Sequence, residues 1–490
     1  MKTIYFSCPK GEPTSLPRNL FLLCFLLITT LSPTFAQRVE EYLRAGNARA
    51  QVEDFVGAIQ AYNRAIEMDP NFTEAYSSRG VAKFRIANYR GAVADFNQAI
   101  ALDPTYAKSY LNRGITKSYL EDYKEAVADL SKAIELLPNS AIAYASRGTA
   151  KTLLKDDKGA VADYEQAVAL DPTHVEAYQK MAIAKGRLGD FAGAIKSHDH
   201  AIALKPNDAE SYFYRGLAKT NMGEFYGAIQ DYTYVIKIDP NNPEAFFNRG
   251  IAKANLKNFQ GAIQDYNQAI EINPYNGDYF YNRAAAKSNV EDYKGAIQDY
   301  SYALNFNLSD EQSYYYRGLA YMHEQLYKQA IADFSMAIRL NPKNMAAYIQ
   351  RADANFELNN YGQAIEDYNK LIEANNQDTH AYARRASAFF RLAEFDKALI
   401  DYSKLLEMNP SDVALYYNRA SVKANLKDYA GAIQDYTKVI ELDASNASAY
   451  YDLGQAYFDS GDKASACQNV QKAKEMGEKR ADRFIKKHCR

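Results

Sequence analysis

The 490-residue chain has no tryptophan, four cysteines, six histidines and a single long apolar run, the twelve residues from Leu20 to Leu31. Each scarcity excludes something. The histidines are His174, His198, His200, His323, His380 and His488. The closest two, His198 and His200, would diverge by roughly 200° on a helix and could not share an ion, so no metal site is expected. There is no phosphate loop, no glycine-rich fingerprint after a strand and no strand pattern at all, so neither catalysis nor a cofactor is expected. Lys and Arg number 58 against 60 Asp and Glu, a formal charge of −2 that falls to −4 without the first 36 residues. That balance argues against a phosphate-binding surface and a nucleic-acid partner. The twelve-residue apolar run is also short of the roughly 20 residues that span a bilayer.

What is abundant is periodicity. Alanine stands at one place in a 34-residue register without a miss, from Ala58 and Ala92 to Ala466. Calling that column 20 divides the region 37–480 into thirteen units, 39–72, 73–106 and so on in steps of 34 to 447–480. Column 4 is always Tyr or Phe, and column 8 is always Gly or Ala. Columns 17 and 24 are mostly aromatic, and these columns account for most of the 41 tyrosines. Columns 4, 8 and 11 fall on one face of a first helix, and 17, 20, 24 and 27 on one face of a second. Small residues let the two helices approach while aromatics fill the space around the contact. Column 16 is Asp or Asn in ten units, suited to an N-cap, and column 32 is Pro in nine, suited to stopping the second helix.

A stretch such as TEAYSSRGVAKFRIANYRGAVADFNQAIALDP, from Thr73 to Pro104, resembles the tetratricopeptide repeat family, and the likeness extends from unit to unit. It implies an all-α fold, a right-handed α-α superhelix of thirteen helical hairpins with a concave partner-binding face. Two departures stand out: the family's frequent Trp at column 4 is replaced throughout, and its usual Leu at column 7 is Arg in ten units.

The arginines have an explanation in the sequence. The ten units with Arg at column 7, among them Arg79, Arg215, Arg249 and Arg283, all have Asp at column 23, as at Asp95, Asp231, Asp265 and Asp299. In the other three both change together, giving Ala45 with Ala61, Met181 with Ser197, and Leu453 with Asn469. A hairpin turning near column 15 sets 7 opposite 23, so an ion pair within each repeat is expected. The fifth repeat keeps Ala194 but carries Met181, Ser197 and His198, and is where uniform stacking should be locally adjusted.

The two ends differ from the array. Lys2, Lys10 and Arg18 precede the apolar run, which ends in Ser32, Pro33 and TFAQ. This reads as a signal peptide, 1–36, cut after Ala36 and similar to Gram-negative leaders, which places the protein in the periplasm or outside the cell without stable membrane insertion. Cys8 and Cys24 would leave with it. Cys467 and Cys489 remain, their midpoint beside Gly477, and a capping helix over 481–490 would bring them together as a disulfide. Lys463, Lys474 and Glu478 occupy columns that are aromatic, aliphatic and Pro elsewhere, as befits a terminal repeat.

Binding is expected on columns that packing leaves over. Columns 2, 5, 9 and 12 form a second stripe on the first helix, which family resemblance puts on the concave face. In the central units the stripe is apolar: Phe213, Leu217, Phe247, Ile251, Tyr281, Tyr315, Leu319 and Ile349. These residues either pack on neighbouring first helices or form a groove for a protein or peptide partner. Carboxylates at column 2, such as Glu176, Glu210 and Glu244, suit the helix dipole and would also favour basic residues in an otherwise apolar partner. No unit has the column 5 Lys with which some relatives hold acidic tails. The sequence thus points to a non-catalytic interaction scaffold or, alternatively, to an accessory or regulatory subunit of a cell-envelope enzyme complex.

Overall fold

The structure is a computed structural model that describes residues 35–489. The expected leader, with Cys8 and Cys24, lies outside the described residues apart from Phe35 and Ala36, which open the first helix, Phe35–Gln51. Twenty-seven α-helices and no strands are found among the described residues. Contacts divide the chain into two compact bodies, Met1–Glu224 and Phe225–Arg490, with the break inside the sixth repeat. The N-terminal body holds five helical hairpins and the helix Ala209–Asn221. The C-terminal body holds the helix Phe225–Ile238, seven hairpins and a closing helix, Lys479–His488.

Each hairpin follows from its columns. In the second repeat the first helix is Thr73–Arg85 and the second is Tyr89–Leu102, and Asp103 and Pro104 follow the latter. Within each body the second helix packs on its own first helix and on the first helix of the next repeat, and successive first helices also touch. First helices therefore line one side of each body. The column 20 alanines are at most 2% exposed, and the column 24 rings of Phe96, Tyr164, Tyr266 and Tyr300 are equally buried. Column 8 must be small because that ring lies on it: a Cβ added to Gly80 would come within 2.6 Å of Phe96, and one on Gly250 within 2.6 Å of Tyr266.

The turn is made at column 15, where φ is positive in all thirteen repeats. Ten of these residues are not glycine, from Glu53 at 63° to Lys427 at 64°, and the others are Gly189, Gly223 and Gly461. Column 16 then caps the second helix. Eight of its ten Asp and Asn side chains accept a hydrogen bond from the column 19 N–H, as Asp156 does from Gly159 at 2.9 Å. Asp122 and Asn360 do not. Column 19 is Gly in seven of the eight capped repeats and Ser465 in the other, whereas the uncapped two have Glu125 and Gln363. At Gly159 an added Cβ would lie 2.2 Å from Asp156 Oδ2 as that side chain now stands.

Candidate partner-binding surface

The charged columns form a ladder whose rungs belong to the scaffold. Arg249 donates from Nε and Nη2 to Asp265 at 3.0 and 2.7 Å, and the same two-pronged contact recurs at Arg79–Asp95 and Arg283–Asp299, with every distance at 2.9 Å or less. Nine such pairs lie within single bodies. Arg215 stands on the N-terminal body and Asp231 on the C-terminal one, and Arg215 holds Asp199 at 2.6 Å. In the Arg79, Arg249 and Arg283 pairs the arginine side chains are 16 to 17% exposed and the aspartates 3 to 5%.

Up to three further contacts hold an arginine in place. Its Nη1 reaches back to column 25 of the preceding repeat, as Arg79 does to Asn63 and Arg283 to Asn267, both at 2.7 Å. Its guanidinium lies over the column 4 ring, 5.5 Å from Phe246 for Arg249. The aspartate also takes a lysine from column 11, such as Lys253 to Asp265 at 2.7 Å. Column 11 therefore faces the packed side as expected, but as a second cation. Where column 11 is Tyr321 or Phe389, the arginine stacks on a second ring instead, at 5.9 and 5.8 Å. In the fifth repeat, with Ser197 at column 23, Lys185 turns to Glu165 at 2.9 Å. The aromatic at column 4 and the arginine at column 7 thus meet wherever both occur, which gives the column 7 departure its place in the packing; the replacement of Trp at column 4 has no structural explanation.

The apolar stripe is shared between packing and surface. Phe213 and Leu217 stand on the N-terminal body; Phe247, Ile251, Tyr281, Tyr315, Leu319 and Ile349 stand on the C-terminal one. Leu217 is exposed and the other seven are half-buried. Phe247 lies 4.8 Å from Tyr279 and 5.8 Å from Tyr266, and Tyr315 lies 6.0 Å from Phe334. Ile251 and Ile349 pack on the cores of their own repeats. Column 2 carboxylates are in part used internally: Glu176 holds Lys180 at 2.6 Å, and Glu244 accepts from the Tyr279 hydroxyl at 2.5 Å.

Cavities open where first helices of adjacent repeats meet. One of about 390 Å³ lies between repeats eight and nine, with Tyr281, Tyr300, Tyr316 and Leu319 in its wall. Tyr281 is 5.7 Å from Tyr300 and 6.3 Å from Tyr316, and burial, with Tyr316 and Asp310 nearby, pushes its phenol up to about 12. A cavity of about 340 Å³ lies between repeats five and six, walled by Ile183, Phe191, Tyr214 and Leu217 among others. Both use the same columns. Both also include a tyrosine at column 6, Tyr214 and Tyr316, which the stripe of columns 2, 5, 9 and 12 omits. Only these two of the thirteen repeats have an aromatic there, and that departure was the available signal.

Family models described as tetratricopeptide repeat match residues 111–175, 243–276, 312–344, 346–378, 379–412 and 447–478, and one described as TPR repeat matches 46–86, 218–257 and 424–461. Together they cover more than half of the chain. The chain belongs to the tetratricopeptide repeat family. No curated protein matches the chain. Among solved structures, YrrB, named as a TPR protein with an unusual peptide-binding site, is 26% identical over 36% of this chain and 92% of its own, with a TM-score of 0.35. A tetratricopeptide repeat protein from Parabacteroides merdae is 22% identical over 51% of this chain and 98% of its own, with a TM-score of 0.35. Yeast Tom70 is 19% identical over 85% and 95%, with a TM-score of 0.30.

The last tetratricopeptide repeat is closed off. Cys467 and Cys489 are joined by a disulfide, with S–S at 2.01 Å. The closing helix begins at Lys479, two residues before the expected stretch, because Glu478 caps it by accepting from the Arg480 N–H at 3.1 Å. Phe484 and Ala481 bury themselves on Ala466, Val470 and Ala473. Arg480 lies over Tyr451 at 4.3 Å and donates to Asp452 at 3.1 Å, and Tyr417 donates its hydroxyl to the same carboxylate. Burial raises the Asp452 carboxyl above its ordinary value, while the Arg480 guanidinium holds Glu478 down at about 2.

Proposed function

We propose that this tetratricopeptide repeat protein is a non-catalytic interaction scaffold that binds an extended segment of a protein or peptide along its first-helix side. The observation that carries the reading is the division of labour among columns. Arginine, lysine and aspartate are consumed in the ladder, so the first-helix side is left to residues that packing only half covers, among them Phe213, Tyr281, Tyr315 and Leu319. Half-buried aromatics beside cavities suit side-chain anchors on an extended partner, and the carboxylates at Glu74, Glu210 and Asp278 favour basic residues within an apolar sequence. The leader-like N-terminus supports a periplasmic or secreted location for this binding.

The test is a pull-down from an envelope fraction with the tagged full chain, alongside a Leu217→Ser, Leu319→Ser variant. The scaffold reading expects specific proteins that the variant loses while its helical content stays unchanged. Equal recovery by both proteins would sink the assignment to this surface. Recovery of one envelope enzyme in fixed stoichiometry would specify the scaffold as that enzyme's accessory subunit.

A further inference from the structure

Column 12 lies near the end of each first helix, beside the aromatic that opens the second. Four repeats place phenylalanine there, and the chain thereby fills the space with its own ring. Phe84 sits 5.4 Å from Tyr89 and 5.0 Å from Tyr119; Phe356 sits 5.2 Å from Tyr361, and Phe390 5.5 Å from Phe395. The fifth repeat instead has Gly186, the one glycine among the thirteen residues of this column. A Cβ built on Gly186 meets no atom within 4 Å, and the column 17 ring, Phe191, is still in place. What remains is the 340 Å³ cavity walled by Ile183, Phe191, Tyr214 and Leu217. Between repeats eight and nine, where column 12 is Ser288, Tyr293 and His323 stack directly on each other at 4.2 Å. Those two rings form part of the wall of the 390 Å³ cavity there, whereas at the Gly186 cavity the column of His323 holds Asn221, which has no ring to lay on Phe191.

We propose that the Gly186 cavity is a socket for one aromatic side chain of an extended peptide, an inference that rests on the scaffold reading and specifies its anchor. The chain itself shows what fits, since Phe84 occupies the corresponding place in the second repeat against a column 17 aromatic. An incoming ring would lie against Phe191 and Tyr214, with Leu217 and Ile183 completing an apolar wall, and ring-on-ring contact favours an aromatic over an aliphatic anchor. One other departure of the fifth repeat, His198 at column 24, also lines the cavity.

The experiment pans a library of short random peptides, displayed on phage, against the full chain and measures the selected peptides by calorimetry against Gly186→Phe, Gly186→Ala and Leu217→Ala. The expected result is a shared aromatic residue in the selected peptides and a loss of about tenfold or more in affinity with Gly186→Phe, the scale of denying burial to one such side chain. Replacing the peptide's aromatic by Ala should cost as much against the wild-type chain and nothing further against Gly186→Phe. Gly186→Ala should bind as before, and Leu217→Ala, which removes part of the wall without filling the socket, should weaken binding. Peptides that bind Gly186→Phe as tightly as the wild type overturn the socket and leave the scaffold reading standing; failure to select any peptide overturns both. Loss of self-association in Gly186→Phe with peptide binding intact would assign the cavity to a second copy of the chain and overturn the proposal.

Discussion

At column 7 an arginine is held by an aspartate, a lysine-bearing neighbour column, a ring and a residue of the preceding repeat, all on a side chain less than one quarter exposed. Removing one member of such a pair leaves the other without compensation in a poorly hydrated place. Asp265→Leu or Arg249→Met alone should each destabilise by about 3 to 5 kcal/mol in urea unfolding, and the double variant by clearly less than the sum. Additive effects would refute the coupling. A second residue-scale prediction concerns the turn. Lys257 has φ of 61°, a region that a β-branched side chain tolerates worst. Urea midpoints should rank Lys257→Gly at or above the wild type and Lys257→Val below it by about 1 to 2 kcal/mol. The pairing of columns 7 and 23 was legible because both change together in three repeats. The lysine at column 11 was less so: it persists at Lys185, where the aspartate is Ser197, and gives way to Tyr321, Asn355 and Phe389 where the aspartate stays.

Among the elements, the closing helix Lys479–His488 packs on the two helices of the last hairpin, Ala447–Asp459 and Lys463–Glu475, and depends on its fastenings. With Cys467→Ser, hydrogen exchange should rise across 479–488 while the core helices of earlier repeats keep their protection, because repeat arrays transmit stability mainly to nearest neighbours. Unchanged exchange at the end would show that Phe484 and Arg480 suffice. Glu478 adds a pH dependence. Its carboxyl is held below the ordinary glutamate value, so its contribution is fully present above 4.5 and is lost as pH falls towards about 2. Protection of this helix should therefore drop across that interval, and Glu478→Gln should flatten the change. Helix number, turn column and most caps could be read from the register, since each rests on local chemistry repeated many times. The missing caps at Asp122 and Asn360 could not be read from column 16 alone, because what sets these two repeats apart is the residue three positions on, Glu125 and Gln363. The cavity at Gly186 was likewise hidden, since a glycine near a helix end resembles a stop signal until its surroundings are known.

Across the whole molecule the repeat makes length a free variable: the same column rules hold from Ala58 to Ala466, and specificity enters where single repeats depart from them. The departures are few and localised, with Gly186 and His198 in the fifth repeat and Tyr316 in the ninth. The ladder carries one more implication, concerning time. Each of the nine rungs within a body joins an arginine to an aspartate 16 residues on, and all but that of Arg419 also reach 16 residues back to the repeat before. No rung waits for a distant part of the chain. Short loops close quickly and at little entropic cost, so a repeat can complete its charged contacts while the next is still being synthesised. Ribosome-arrested chains of increasing length, treated briefly with protease, should acquire protection in steps of about one repeat; a single jump only at full length would contradict this. On that schedule the order of assembly is written in the direction of the arginines, each new repeat docking on one already finished.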